Sequence, residues 1–322
     1  MIRLLGRRVA ASLLLIFLVL TLTFFLVRLA PGDPLVDLEN SGHLNREQIE
    51  KQRRLYGLDK PLVVQYGLWL RGIARGDWGT SIVYQKPATA VVAEALPYTL
   101  LLGVVILILQ YGFGLLLGVG AAQRPGSARD HSIRTVSLVL YSIPVFWLGL
   151  MAILVFHLFW GLLPPGGVSS IGGERLSPAG RVVDVLRHLI LPAGVLALVN
   201  AGRVARFVRN NLLEVLGADY IRTARAKGLS RRRVIWLHAL RNSLVSIVQL
   251  FGLSVPALLN GILVIEVVFA WPGLGRVMFN ACLGRDYPVV VAITAFSAAL
   301  VIVGNLLADL LHSAVDPRIR HG

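Results

Sequence analysis

Long apolar stretches alternate with shorter polar stretches along most of this chain. The apolar stretches cover about residues 9–29, 96–122, 135–160, 188–208, 243–266 and 288–311. Each is close to the roughly 20 residues that an α-helix needs to cross the hydrocarbon core of a bilayer. The pattern therefore predicts an all-α polytopic membrane protein with six transmembrane helices.

The first apolar stretch has the charge pattern of a signal peptide but not its length. Arg3, Arg7 and Arg8 precede an apolar run from Val9 to Val27, whereas the apolar region of a signal peptide has about 7–15 residues. No small-residue cleavage motif follows, since the next residues are Ala30-Pro31-Gly32-Asp33-Pro34. The stretch is therefore predicted to remain as the first span.

The positively charged residues indicate the orientation. With the N-terminus inside, eighteen Lys and Arg residues fall in the segments on the cytoplasmic side and five in the two short outer loops. The segment 31–95 is left out because long loops translocate largely regardless of charge. Cytoplasmic loops carry an excess of Lys and Arg, so both termini and the loop 209–242 are predicted to be cytoplasmic.

Composition agrees with a membrane protein. Hydrophobic residues make up 56% of the chain and charged residues 15%, against about 25% charged residues in soluble domains. The net charge of +15 does not indicate nucleic acid, because the Arg residues flank apolar runs as membrane topology requires. The single cysteine, Cys282, excludes an intramolecular disulfide and a multi-cysteine metal site.

The predicted organisation has three parts: residues 1–30 (cytoplasmic N-terminus and first span), 31–95 (an extracytoplasmic helical cap) and 96–322 (a five-helix core). In the cap, Asn45 and Gln48 resemble a capping box that opens a helix running to Tyr56 and ending at Gly57. Pro61 suits the first turn of a second helix. The cap either covers the bundle without chemistry of its own or provides a docking surface for an external partner.

The longest polar passage in the second half is the basic segment, Glu214–Asn242. Gly217 and Gly228 bracket a short helix predicted over 219–227, with Asp219 as its N-terminal cap and Gly228 ending it in the left-handed conformation. Ala224 and Gly228 are four residues apart and share a nearly bare helix face. Such a face lets another backbone approach closely.

A second helix is predicted to begin after Ser230, its N-terminal cap. Its first turn would contain Arg231, Arg232 and Arg233, and three cations there oppose the helix macrodipole. The arginines therefore serve another purpose. They either anchor the loop on the cytoplasmic side of the membrane or meet an acidic partner.

The basic segment resembles the cytoplasmic coupling loop of ABC importer permeases, in particular the dipeptide/oligopeptide/nickel branch. The resemblance rests on Asp219-Tyr-Ile-Arg-Thr-Ala-Arg-Ala-Lys-Gly-Leu-Ser230 and His238-Ala-Leu-Arg-Asn242. Arg222-Thr223-Ala224 stands where the broader family has Glu-Ala-Ala, and Gly228 is the family's glycine. Leu240-Arg241 stands where Leu-Pro is most common, and both departures are typical of the peptide branch.

The resemblance extends over nearly the whole chain and is similar to the first permease of the pair in that branch. Further motifs match in order at 31–34, 56–61, 76–81, 271–275 with 285–288, and 316–320. They imply the ABC importer type I permease fold in a bacterial inner membrane. The resemblance assigns ATPase coupling to Glu214, Asp219, Tyr220, Arg222, Ala224, Arg225, Ala226, Lys227, Gly228, Ser230, Arg231, Arg232, His238 and Arg241.

The resemblance also implies partners and cofactors. A homologous second permease, two cytoplasmic ATPases and an extracytoplasmic binding protein are expected, with ATP and Mg²⁺ bound by the partners and no cofactor bound by this chain. The sequence itself contains no GxxxxGK[ST] motif, the loop that cradles nucleotide phosphates. The implied cargo is a di- or oligopeptide, with glutathione or nickel complexes as alternatives.

Polar residues within the predicted spans are candidates for the translocation path or a gate. Gln249, Asn260 and Glu266 are the candidates, with hydrogen bonding between helices as the alternative for each amide. An ion-driven transporter would favour repeats and mid-membrane charges, and neither is clear. An intramembrane enzyme is a further alternative, but this sequence contains no catalytic signature such as GxSxG or HExxH. No catalytic or metal-binding residues are therefore predicted. A membrane scaffold without a transport role leaves the two glycines of the basic segment unexplained.

Overall fold

The computed structural model describes residues 2–31, 35, 46–55 and 57–315. Its helices are α1 (Ile2–Leu29), α2 (Arg46–Leu55), α3 (Leu62–Ala74), α4 (Ala88–Gln123), α5 (Ala128–Ser142), α6 (Val145–Ile153), α7 (Pro178–Leu216), α8 (Asp219–Ala226), α9 (Arg231–Arg233), α10 (Leu240–Val268), α11 (Leu274–Leu283) and α12 (Tyr287–Val315). Single π-helical turns follow α6 at Leu154–Phe159 and α9 at Val234–Ala239. The all-α prediction is confirmed, while Asn45, Tyr56 and the motif at 316–320 lie outside the described residues.

Among the described residues, four helical stretches are each long and apolar enough to cross a membrane: residues 10–29 of α1, α4, α7, and residues 287–306 of α12. Two bent pairs of helices raise the number to six if each pair forms one span. Large apolar side chains such as Leu13, Leu22 and Leu26 of α1 are exposed on these helices. Exposed apolar side chains on such long helices suit a lipid environment.

The third apolar stretch is not one straight helix. Helix α5 ends at Ser142, α6 begins at Val145, and the chain turns by 97° between the two helical arms. Pro144 has no N–H to donate and disfavours the helical conformation of the residue before it. Ile143 is accordingly extended, with φ −87° and ψ 133°. The prediction of a single helix over 135–160 is therefore wrong in its geometry.

One compact unit contains residues 1–97 and 273–302. Its core joins the start of α4, helix α11 and the start of α12 through Val92, Ala281 and Val289. In the same unit, α1 packs against α3, where the ring centroids of Phe24 and Trp69 are 4.9 Å apart.

A buried carboxylate holds a loop of this unit in place. Asp286 is fully buried between α11 and α12. It accepts hydrogen bonds from the Ser81 hydroxyl and from the main-chain N–H of Val83 at 3.1 Å. Both hydrogen bonds end on the same carboxylate oxygen, Oδ2, while Oδ1 is buried without a hydrogen-bond partner among the described residues. The two bonds join the Ser81 loop to the start of α12.

The second unit contains residues 98–272 and 303–322. Helix α7 lies at its centre and packs against α5, α6 and α10. Helix α4 approaches α7 closely because Gly114 and Gly118 have no side chains. A Cβ atom on Gly114 would lie 2.5 Å from Val204, and one on Gly118 would lie 2.6 Å from the Ala205 carbonyl oxygen. Small residues at helix contacts allow such close packing in membranes.

Candidate functional site

The basic segment begins as α7 ends and continues through α8, α9 and the π-helical turn into α10. Gly228 lies between the two short helices with φ +77°, a conformation that glycine adopts far more readily than other residues. Its N–H donates to the Arg225 carbonyl at 2.9 Å, and the Leu229 N–H donates to the Ala224 carbonyl at 3.4 Å. These bonds end α8 at the predicted glycine.

The predicted N-terminal cap of α8 is wrong by one residue. Ala218 occupies the N-cap position, and Asp219 is already the first helical residue. The Asp219 carboxylate instead accepts a hydrogen bond from Arg222 at 3.2 Å. Ser230 occupies the N-cap position of α9 as predicted, but its side chain makes no capping hydrogen bond there.

One side of the basic segment is buried within this chain. Ile221 and Ala224 of α8 pack in one apolar cluster with Val234 and Ile235 of the π-helical turn and with Leu212 of α7. Removing this apolar surface from water stabilises the position of α8 on the bundle. The cluster therefore joins α8 to α7 and to the π-helical turn that leads into α10.

The remaining predicted coupling side chains lie on or near the surface. The exposed residues are Glu214, Asp219, Tyr220, Arg222, Arg225, Ala226, Lys227, Gly228, Ser230, Arg231, Arg232 and Arg241. His238 is half-buried, and Ala224 is buried at 8% exposure. The face that Ala224 and Gly228 were expected to share is thus divided, because Ala224 packs into the chain's own core while Gly228 remains exposed.

Arg231 has a contact that its sequence pattern did not reveal. Its guanidinium donates a hydrogen bond to the main-chain carbonyl of Gln123, the last residue of α4. The last carbonyls of a helix lack partners within that helix and carry the negative end of its dipole. Arg231 therefore contacts the end of α4, although it is exposed, as are Arg232 and Arg233.

A buried ion pair lies at the same end of the second unit. Arg209 of α7 donates two hydrogen bonds to the carboxylate of Asp130 in α5, both at 2.6 Å. Asp130 also accepts from the Gly126 N–H at 2.9 Å. The spacing Ser127-x-x-Asp130 is a capping pattern that predicts the helix start, but the partner 79 residues away leaves no local sequence signal.

The three predicted pathway residues are not brought together. Glu266 is fully buried and accepts a hydrogen bond from the Thr99 hydroxyl at 2.6 Å. Gln249 is exposed and lies 17 residues away along α10, which is about 25 Å at the rise of an α-helix. The backbone of Asn260 is helical, and its side chain lies outside the described part of the structure.

Glu266 belongs to a polar junction with the Trp271 turn. The Trp271 ring N–H donates to the Tyr98 carbonyl at 3.0 Å, and the Trp271 main-chain N–H donates to the Glu266 carbonyl at 2.9 Å. Tyr98 and Thr99 lie on α4 and Glu266 on α10. The junction ties α4 to the end of α10.

The loop between α6 and α7 is also anchored by a buried carboxylate. Asp184 accepts hydrogen bonds from the main-chain N–H of Ser170 at 2.8 Å and from its hydroxyl at 2.6 Å. His188 lies 3.5 Å from the same carboxylate. These hydrogen bonds attach the loop to α7.

Over the described residues, no three His, Cys, Asp or Glu side chains are grouped to hold a metal ion.

Two protein families match this chain, one over its N-terminal third and one over most of the remainder. Residues 114–321 match the family "Binding-protein-dependent transport system inner membrane component". Residues 1–103 match the corresponding N-terminal family, "Binding-prot-dependent transport system membrane comp, N-term".

The similar curated proteins align over almost their full lengths. The oligopeptide transport system permease protein AppB of Bacillus subtilis is 42% identical over 98% of each chain. The di/tripeptide transport system permease protein DppB of Pseudomonas aeruginosa is 39% identical over 100% of this chain and 99% of that protein. The dipeptide transport system permease protein DppB of Escherichia coli is 39% identical over 93% of each.

Among solved structures, an inward-facing form of the methionine ABC transporter MetNI has the same fold. The TM-score is 0.57 with 20% sequence identity, and the match covers 71% of this chain and 97% of the other. The likeness supports the predicted type I permease fold.

Proposed function

The chain belongs to the family of binding-protein-dependent transport system inner membrane components, and we propose that it is a permease subunit importing di- and oligopeptides. Family membership makes it a multi-pass inner-membrane transport subunit rather than an enzyme, with ATPase subunits as partners. The peptide cargo is supported by the relatives, whose names specify oligopeptides, di- or tripeptides and dipeptides.

The main structural support for this function is that one side of the basic segment is buried and the other is exposed. Ile221 and Ala224 pack into the bundle, while Tyr220, Arg222 and Arg225 are exposed. A partner that binds the exposed side chains can move the membrane helices only if the buried side of the segment stays packed against those helices. The segment therefore suits transmission of force between an ATPase and α7 and α10.

The full transporter would contain a homologous second permease and an extracytoplasmic binding protein besides the ATPases. ATP and Mg²⁺ would bind the ATPases, whose closure moves the two basic segments toward each other. Helix α7 runs for 39 residues from the outer loop to the basic segment. A continuous helix transmits such a displacement across the bilayer, and the Glu266 junction lies where the outer gate between α4 and α10 would open.

Reconstitution of the four kinds of subunit in lipid vesicles tests this function. ATP-dependent uptake of a labelled dipeptide is expected when the binding protein is present, with weak competition by glutathione or nickel complexes. Vesicles that lack this chain are the control. Dipeptide uptake driven by an ion gradient without ATP would contradict the proposal, and stronger uptake of glutathione or nickel would change its cargo.

A further inference from the structure

A cavity of about 560 Å³ opens within the unit of residues 1–97 and 273–302. It lies beside the last turn of α1, where the first predicted span reaches the membrane interface. Arg28, Arg54 and Lys60 line the cavity, and Asp77 is the one carboxylate among the described lining residues. Arg54 also lies 3.8 Å from Glu50, so among the described lining residues the excess of positive charge comes from Arg28 and Lys60 against Asp77.

The Arg28 guanidinium is oriented by three contacts, and none of them neutralises its charge. It donates to the Gln65 side-chain oxygen at 2.6 Å. It also lies over the rings of Tyr287 and Phe24, at 5.0 and 5.5 Å from their centroids. Among the described residues, no carboxylate lies within ion-pair distance of Arg28. Since an arginine has five N–H donors, most remain available to an anion in the cavity.

The other charged groups of the cavity agree with an anion. Gln65 donates to the Lys60 carbonyl at 2.7 Å, so one side chain connects Arg28 with the main chain of Lys60. The Asp77 carboxylate accepts the Gly79 N–H at 2.9 Å within its own turn. Gln65 thus links Arg28 to residue 60 on the cavity wall, while Asp77 is engaged within the turn that it belongs to.

The rest of the wall is largely apolar and aromatic. Phe24, Leu68, Trp69, Trp78 and Val291 line it. Aromatic side chains are enriched at the membrane interface, where their rings lie at the level of the head groups. An inorganic anion would leave this apolar wall uncovered. An amphiphile with an anionic head group would contact both the cationic side chains and the apolar wall.

We propose that this cavity binds an anionic phospholipid, with the phosphate at Arg28 and Lys60 and the glycerol and upper acyl chain along Leu68 and Trp69. The bound lipid would join α1 to α3 within this unit. Free phosphate shares the head-group chemistry, and the lipid is favoured because of the apolar wall. An acidic surface of a partner protein is the other occupant that the test distinguishes.

Native mass spectrometry of the full chain, purified with its partner subunits in detergent, tests the proposal. The probe is an equimolar mixture of phosphatidylglycerol and phosphatidylcholine. The wild-type protein is expected to retain phosphatidylglycerol preferentially. Arg28→Gln and Lys60→Gln are each expected to lower that retention about fivefold, because one cation near an anionic head group has about that effect on affinity.

Two further variants separate binding from folding. Arg71→Gln removes an exposed cation from α3 that does not line the cavity, and retention should stay within about twofold of wild type. Arg28→Lys keeps the charge and is expected to recover most of the retention lost in Arg28→Gln. Lys60 is exposed, so Lys60→Gln reports on binding even if a variant at Arg28 fails to assemble.

Four outcomes would overturn the proposal. The first is equal retention of the two lipids by the wild-type protein. The second is an equal loss of lipid retention in Arg71→Gln and Lys60→Gln. The third is displacement of the lipid by millimolar inorganic phosphate, which would indicate a free-phosphate site. The fourth is unchanged lipid retention with weaker capture of the external binding protein by Lys60→Gln, which would assign the cations to that protein.

Discussion

The carboxylate of Asp130 and the guanidinium of Arg209 form a buried two-pronged ion pair, with both N–O distances at 2.6 Å. Their side chains are 1% and 14% exposed. The pair joins α5 to α7 one turn before α7 enters the basic segment. It therefore fixes the end of α7 from which the basic segment continues.

Breaking one partner of this pair should destabilise the protein strongly. Asp130→Leu leaves the Arg209 charge buried without its partner, and the expected loss is about 3–5 kcal/mol. The double variant Asp130→Leu with Arg209→Met removes both charges and should be more stable than either single variant. Thermal unfolding of the detergent-purified protein measures both. A double variant as unstable as the two single losses added together would contradict the pair's energetic coupling.

The close contact of α4 with α7 gives a second prediction. Gly118→Leu forces a side chain into a space where even a Cβ atom would lie 2.6 Å from the Ala205 carbonyl, and overpacking costs about 1–3 kcal/mol. Gly112→Leu on the same helix is the control, because a Cβ there meets nothing within 4 Å. The thermal unfolding midpoint should fall for Gly118→Leu alone. Equal falls for the two would show that the contact is not tight.

Gly228 separates backbone conformation from contact with a partner. Its φ is +77°, and a Cβ atom would meet nothing within 4 Å inside the chain. Gly228→Ala should cost about 1–2 kcal/mol because of the left-handed backbone. Gly228→Asn should cost less, since asparagine tolerates that region.

Transport assays on the Gly228 variants complete this test. If the turn alone matters, dipeptide uptake should follow stability, with Asn better than Ala. If the ATPase backbone approaches Gly228 closely, uptake should instead follow side-chain size, and Asn should be the more damaging. The insertion control is protein abundance in the membrane.

The arginine cluster should divide into two roles. Arg231 donates to the Gln123 carbonyl at the end of α4, so Arg231→Gln is expected to lower stability by about 0.3–1 kcal/mol. Arg232 is exposed, and Arg232→Gln should leave stability unchanged but weaken ATPase binding. Co-purification of the ATPase and thermal unfolding are measured together. If both variants still co-purify with the ATPase, Arg232 does not bind the ATPase, and membrane anchoring remains as its role.

The sequence predicted the parts of the fold that depend on local pattern. Apolar periodicity and length located the helical stretches, and Gly228 marked the end of α8 because its left-handed φ is a local property. The resemblance in the basic segment led to the family that the comparisons confirm. The six spans, their orientation and the pathway residues remain predictions.

Long-range partners were beyond the reach of the sequence. Nothing near Asp130 points to Arg209, and nothing near Arg231 points to Gln123. Ala224 was expected to present a bare face, but a small residue serves equally well inside a tight core, and only the position of Val234 and Ile235 decides between the two. The bend at Pro144 had a local signal in the proline, which the hydropathy of the stretch concealed.

We propose that the exposed side of the basic segment contacts the ATPase while its buried side packs on the helix bundle. Photo-crosslinking in cells, with a benzophenone side chain placed singly at 220, 222 or 225, tests it directly. Position 181, an exposed arginine in the first turns of α7 and at the other end of that helix from the basic segment, is the control. Crosslinks to the ATPase are expected from positions 220, 222 and 225, and none from position 181. No crosslink from any of the three positions, in protein that still transports peptide, would contradict it.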